Sequence, residues 1–148
     1  MATKAKRRGF AALWMGAAIL WIAQSVGSQS GETFKARLSP VPIDISMMAI
    51  IAGSGSVTAV LVGRKLTISG TFVGLRSPAT VARIHRGPKG IRGPAIFDLA
   101  VSQATSGTIS GSFDLTPTQV DDLRNSRFYV QIYSERAPDG NLWGWLLR

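Results

Sequence analysis

The side chains able to do acid–base or metal chemistry are few. His85 is the single histidine, and there is no cysteine. Zinc takes four ligands, commonly His and Cys, and copper sites draw on several histidines. One imidazole flanked by Arg83 and Arg86 cannot hold either metal tightly. A Ser-His-Asp triad would need the same histidine, and no serine sits in a nucleophile-elbow context. Asp121 and Asp122 are neighbours in a helical stretch, so they point in different directions and read as a solvated face. The glycines between Gly87 and Gly93 lead into a strand rather than a helix N-terminus, so they read as a turn and not a phosphate cradle. No catalytic residue, cofactor, metal or small-molecule substrate is expected, and the chain reads as a non-enzyme.

What remains is aromatic. Phe128, Val130 and Ile132 alternate with Tyr129, Gln131 and Tyr133, the period of a half-buried strand. Pro138, Asp139 and Gly140 supply turn residues. The chain returns as Leu142-Trp143-Gly144-Trp145-Leu146. With Leu142 and Leu146 facing in, Trp143 and Trp145 face out. The alternative is that an irregularity at Gly144 turns one or both into the core.

These residues need a scaffold of short strands. Sixteen glycines and seven prolines in 148 residues suit many turns. Strands are expected at Phe34–Leu38, Val57–Val62, Leu66–Val73, Thr80–Ile84, Ala95–Val101 and Thr108–Phe113, before the terminal hairpin. The apolar run Ile43–Ala52 is expected to hold a buried strand in its second half. Thr116, Pro117 and Gln119 open one soluble helix that ends near Arg124, with Thr116 as N-cap and Gln119 closing a capping box. Seven to nine strands of this kind predict an antiparallel sandwich or barrel.

The N-terminus is different. Residues 1–8 form a basic head, and 9–26 run for eighteen residues without a charge. As a helix that run spans about 27 Å, close to the thickness of a bilayer core. Lys4, Lys6, Arg7 and Arg8 account for four of the net +9 and hold the N-terminus in the cytoplasm. The other cations read as scattered, which argues against nucleic acid. Small residues at Ala23, Ser25 and Gly27 permit a cleaved signal peptide, and Gln24 and Ser25 shorten the apolar run. Against cleavage, Ala11, Trp14, Ala18 and Trp21 line one helix face, as packing between membrane helices requires. The expectation is a retained transmembrane anchor, a linker at 27–32 and a globular domain at 33–148.

The domain resembles the chordin-type (CHRD) family. The resemblance rests on the G-S-V-T-A-V-L hairpin, F-V-G-L, A-R-I-H-R-G-P, G-P-A-I-F-D-L, G-S-F-D-L-T, Y-V-Q-I-Y-S and P-D-G-N-L-W-G-W-L, and covers about Phe34 to Arg148. It implies an antiparallel immunoglobulin-like or superoxide-dismutase-like β-sandwich. It also implies export, and a protein-binding role where a role is known. The family's His-x-His pair stands here as Arg83 and His85. Its later histidine is Tyr133, and its closing G-E-I-R-G is Gly140-Asn141-Leu142-Trp143-Gly144. The outward positions have changed, while the inward ones are kept.

Trp, Tyr and Arg are the residues enriched at binding hot spots. Arg83, His85, Tyr129, Tyr133, Trp143 and Trp145 are therefore expected to form a partner-binding surface, and Ala11, Trp14, Ala18 and Trp21 a second one in the membrane. The partners expected are integral membrane subunits with their periplasmic domains, and membrane lipid. The setting is a single-pass protein of a bacterial inner membrane, an accessory subunit of a photosynthetic, respiratory or transport complex. A secreted protein- or glycan-binding module, its signal peptide removed, is the alternative. Intact mass of the mature chain separates the two. A retained anchor leaves Met1 or Ala2 as the first residue, and cleavage leaves a chain beginning near Val26 or Ser28.

Overall fold

The computed structural model describes residues 30–148, and the backbone in it is organised by period-two alternation. The elements are β1 (Glu32–Pro40), a 3₁₀ turn (Ile45–Met47), β2 (Ser54–Val62), β3 (Lys65–Val73), β4 (Ala79–Arg86), β5 (Ala95–Val101), β6 (Gly107–Asp114), α1 (Pro117–Arg124), β7 (Phe128–Ser134) and β8 (Ala137–Trp145). Along β1, Phe34, Ala36 and Leu38 are buried while Lys35, Arg37 and Ser39 are exposed. Inward residues from every strand but β5 join Leu99 of β5 and Val120 and Leu123 of α1 in one continuous core. The capping box forms as its spacing predicts: Gln119 N–H donates to Thr116 Oγ1 at 3.2 Å and Thr116 N–H to Gln119 Oε1 at 2.9 Å.

All pairings are antiparallel, and the strands close into a barrel in the order β1-β2-β3-β6-β5-β4-β7-β8. The all-β antiparallel class is as the sequence predicts. The open sandwich is corrected to a closed circuit, which pairs the edges a sandwich would leave free. Closure is thinnest at two places. β5 and β6 share the pairs Ala100–Ser110 and Val101–Ile109. β1 and β8 share Ser39–Trp143 and Pro40–Leu142, with an isolated bridge at Lys35–Leu147. Among the described residues, strands and core come from residues 32–146, and they close on themselves into one folding unit.

Two further expectations change. Ile43–Ala52 contains no strand. Asp44 caps the 3₁₀ turn by accepting from Met47 N–H at 3.2 Å. Val41 and Ile51 tuck under the segment with Ala137, against Met47, Ile50 and Trp143. The terminal hairpin turns at Glu135–Arg136 and not at Pro138–Gly140. Ser134 pairs with Ala137 and Ile132 with Leu142, so residues 138–141 oppose Tyr133 alone. The turn chemistry of Pro138, Asp139 and Gly140 (φ +126°) makes a wide bulge inside β8.

Among the described residues no helix is long and apolar enough to cross a membrane. The expected anchor at 9–26, with Ala11, Trp14, Ala18 and Trp21, lies outside the described residues, as does the basic head.

Gly144 holds the β1–β8 closure. A Cβ there would stand 2.3 Å from the Arg37 carbonyl oxygen and 3.1 Å from Leu38 Cδ2. Gly144→Ala is expected to destabilise the barrel by about 1–3 kcal/mol, as overpacking does, measured by chemical denaturation.

Candidate functional site

The outer face of β4, β7 and β8 is built in rows. One row runs Asp98–Arg83–Gln131–Trp143–Ser39, and the next runs Ala95–His85–Tyr129–Trp145. Every aromatic singled out from the sequence is therefore on the outside of the barrel, and neither tryptophan turns into its core. Outward does not mean exposed, however. Tyr129 is 0% exposed, His85 7% and Trp145 8%, while Arg83, Tyr133 and Trp143 are half-buried. Tyr129, His85 and Trp145 are corrected from free surface to a second, smaller core.

The cover over the second row is the loop 87–94. Trp145 Nε1–H donates to Gly87 O at 3.0 Å. Gly93 N–H donates to Tyr129 Oη at 2.9 Å, and Gly93 O lies 2.8 Å from His85 Nδ1. Arg92 reaches across to donate to Asp139 O at 2.7 Å and stands 5.9 Å from the Trp143 ring centroid. Below the loop, the rings of His85 and Tyr129 stack at 4.9 Å, and Trp145 packs on Tyr129 at 4.5 Å. Glycine is required at 93, where a Cβ would meet the Arg86 carbonyl oxygen at 1.8 Å.

The histidine's chemistry follows from these contacts. Its Nδ1 faces a carbonyl, so it carries the proton and donates. Its Nε2, 2.8 Å from Tyr133 Oη, accepts. Burial lowers the His85 pKa, and the nearby Arg83 and Arg92 charges lower it further, against the pull of the Gly93 carbonyl. Burial likewise raises Tyr133. Both groups are held neutral at pH 7, in a tautomer that commits both ring nitrogens. Among the described residues no three His, Cys, Asp or Glu side chains come together to hold a metal. The arrangement fixes a loop and presents no free base.

The charges sort into two kinds. Arg83 pairs with Asp98 at 2.8 Å and stands 5.7 Å from the Tyr133 ring centroid. Arg86 donates from Nε and Nη2 to the two oxygens of Asp122 at 2.6 and 3.0 Å. Asp122, read as solvated from the sequence, is 8% exposed and tied to the end of β4. Glu32, its pKa lowered first by the hydrogen bond from Arg124, is shared between Arg124 and Arg148. Lys35, Arg37 and Lys89 are different. With Ser39, Trp143 and Trp145 they line an open groove of about 220 Å³ that has no carboxylate in its wall. Three of the cations that read as scattered in the sequence come together here. Lys35 and Arg37 share the outer face of β1 by alternation, and only the folded loop brings Lys89 to them.

Among protein families, the CHRD domain matches over residues 34–146, and the chain belongs to this family. The match runs from β1 through β8. Neither the curated proteins nor the solved structures contain a match to this chain.

A histidine with a lowered native pKa binds its proton more readily in the unfolded chain. Its contribution to stability is full above about pH 6.5 and is lost as pH falls through the native value. The wild-type barrel is expected to lose stability between pH 7.5 and 5. His85→Gln should be flatter over that range and about 1–3 kcal/mol less stable at pH 7.5, because Gly93 O and Tyr133 lose their partner. Urea denaturation at several pH values checks both.

Proposed function

We propose that this CHRD-family chain is a non-catalytic accessory subunit. Residues 9–26 anchor it in a bacterial inner membrane, and the barrel docks on the periplasmic parts of a larger membrane complex. One observation carries the reading. Three exposed large apolar side chains, Ile43 at 38%, Ile45 at 88% and Met48 at 59%, fall within one six-residue segment. Such a cluster costs solubility unless something covers it.

The segment is built to present them. The 3₁₀ turn directs Met47 and Ile50 onto the cluster of Val41, Ile51 and Ala137 and leaves Ile45 and Met48 exposed. Val41 N–H donates to Asn141 O at 3.0 Å and fixes the segment's start to β8. The chain passes along the nine residues of β1 before reaching it, about 26 Å of strand. A membrane holding residues 9–26 therefore lies at the other end of the barrel. The occupant that fits an apolar knob at this far end is a partner's ectodomain rather than the same bilayer. Half-buried Trp143 borders it on the barrel wall.

The reading agrees with the chemistry of the outer face, where His85 and Tyr133 are spent on holding a loop. Ile45→Asp with Met48→Asp is expected to change folding stability by about 0.5 kcal/mol or less, since both side chains point to solvent. A tagged full-length chain purified in mild detergent should carry stoichiometric integral membrane proteins. The double variant should lose them, while Val73→Asp, at an exposed valine on β3, keeps them. A soluble chain that purifies alone in all three forms would overturn the proposal in favour of a secreted module.

A further inference from the structure

The groove between β1 and the 87–94 loop adjoins the apolar knob at Trp143, and its chemistry is anionic recognition. Lys35 and Arg37 stand on one wall and Lys89 on the other. None of the three has an ion-pair partner among the described residues. No acidic residue occupies an outward position of β1 between Thr33 and Ser39, or of β8 between Trp143 and Leu147. A second groove of similar volume, lined by Arg83, Phe97 and Asp98, makes a useful contrast. There the arginine is already neutralised by its own aspartate.

We infer that the Lys35–Arg37–Lys89 groove binds the phosphate of an anionic phospholipid headgroup. Position favours lipid over other anions. Lys35 is three residues into β1 and Arg37 five, so they lie about 10 and 17 Å from Glu32 along the strand. The residues between the apolar run and Glu32 span at most about 18 Å when fully extended. So short a tether keeps the start of β1, with Lys35 and Arg37, close to the headgroup layer. Tryptophan at the groove floor suits the headgroup layer, where an indole finds both apolar and polar surroundings. Ser39 adds a hydroxyl at the groove's far end.

The inference rests on the anchored reading for its choice of lipid, and its test does not use the anchor. Residues 30–148 close into a barrel by themselves, so this segment can be mixed with vesicles of phosphatidylcholine, with and without phosphatidylglycerol, and sedimented. Binding is expected to phosphatidylglycerol vesicles alone and to weaken as salt screens it. Lys35→Glu with Arg37→Glu should reduce it about tenfold or more. Arg76→Glu with Arg136→Glu changes the net charge equally but lies at the other end of the barrel, where Arg136 N–H meets Ser77; this pair should bind within about twofold of wild type. Arg37→Gln, the milder change, should fall between. Equal loss in both charge-reversed pairs would mean general attraction by a basic protein and would overturn the site. So would absence of binding to phosphatidylglycerol. A soluble sulfated polysaccharide that displaces the barrel from vesicles, and binds with the same dependence on Arg37, would overturn lipid as the occupant. If the mature chain proves to be cleaved, the anchored reading falls while the vesicle result stands on its own.

Discussion

Gly93 has both of its backbone polar groups answered by side chains that rise from the barrel wall, the N–H by Tyr129 and the carbonyl by His85. A loop with no ladder of its own must find such partners or leave its backbone to water. The consequence reaches well past the loop. With 87–94 held down, Tyr129 and Trp145 become interior residues, Trp145 finds an acceptor in Gly87, and Lys89 is carried to the rim of the β1 groove. The neutral state of His85 belongs to the same arrangement, because only the Nδ1–H tautomer can donate to Gly93 and accept from Tyr133 at once.

This second core lies on the outward positions of β4, β7 and β8. The inward positions Leu142 and Leu146, fully buried in the main core, follow the alternation that any such strand requires. The outward positions are free of that demand. Here they take large aromatics, which need a cover, and the chain supplies two: the 87–94 loop over one row and the 41–51 segment beside Trp143. Arg92 ties the loop to the β8 bulge by reaching Asp139 across the Trp143 ring.

The cover at 41–51 is incomplete in a particular way. Val41 and Ile51 are buried, whereas Ile45 and Met48 project. Lys35 and Arg37 lie nearer the start of β1. The barrel thus has an apolar knob at one end and a basic groove along the strand from the other. This polarity follows from one strand's direction and its alternation.

Much of this was legible in the residues. Alternation alone assigned Leu142 and Leu146 inward and Trp143 and Trp145 outward, and the Thr116–Gln119 spacing announced the helix cap, because these are local properties of one strand or one turn. Local patterns could not tell outward from exposed. Whether Tyr129 meets water depends on a loop some forty residues earlier folding back over it, a non-local contact with no periodicity to reveal it. The same limit applies to Asp122, whose partner Arg86 is distant in sequence, and to Lys89, which joins Lys35 and Arg37 only after closure. Pro138-Asp139-Gly140 shows the reverse case. Its turn chemistry was read correctly, but the pairing of Ser134 with Ala137 and Ile132 with Leu142 decided that it would bend a strand and not end one. Closure itself was a tertiary decision. A sandwich and a barrel share the same alternation, and β8 joins β1 through the pairs Ser39–Trp143 and Pro40–Leu142 and the bridge Lys35–Leu147, with the missing Cβ of Gly144 letting Arg37 come close.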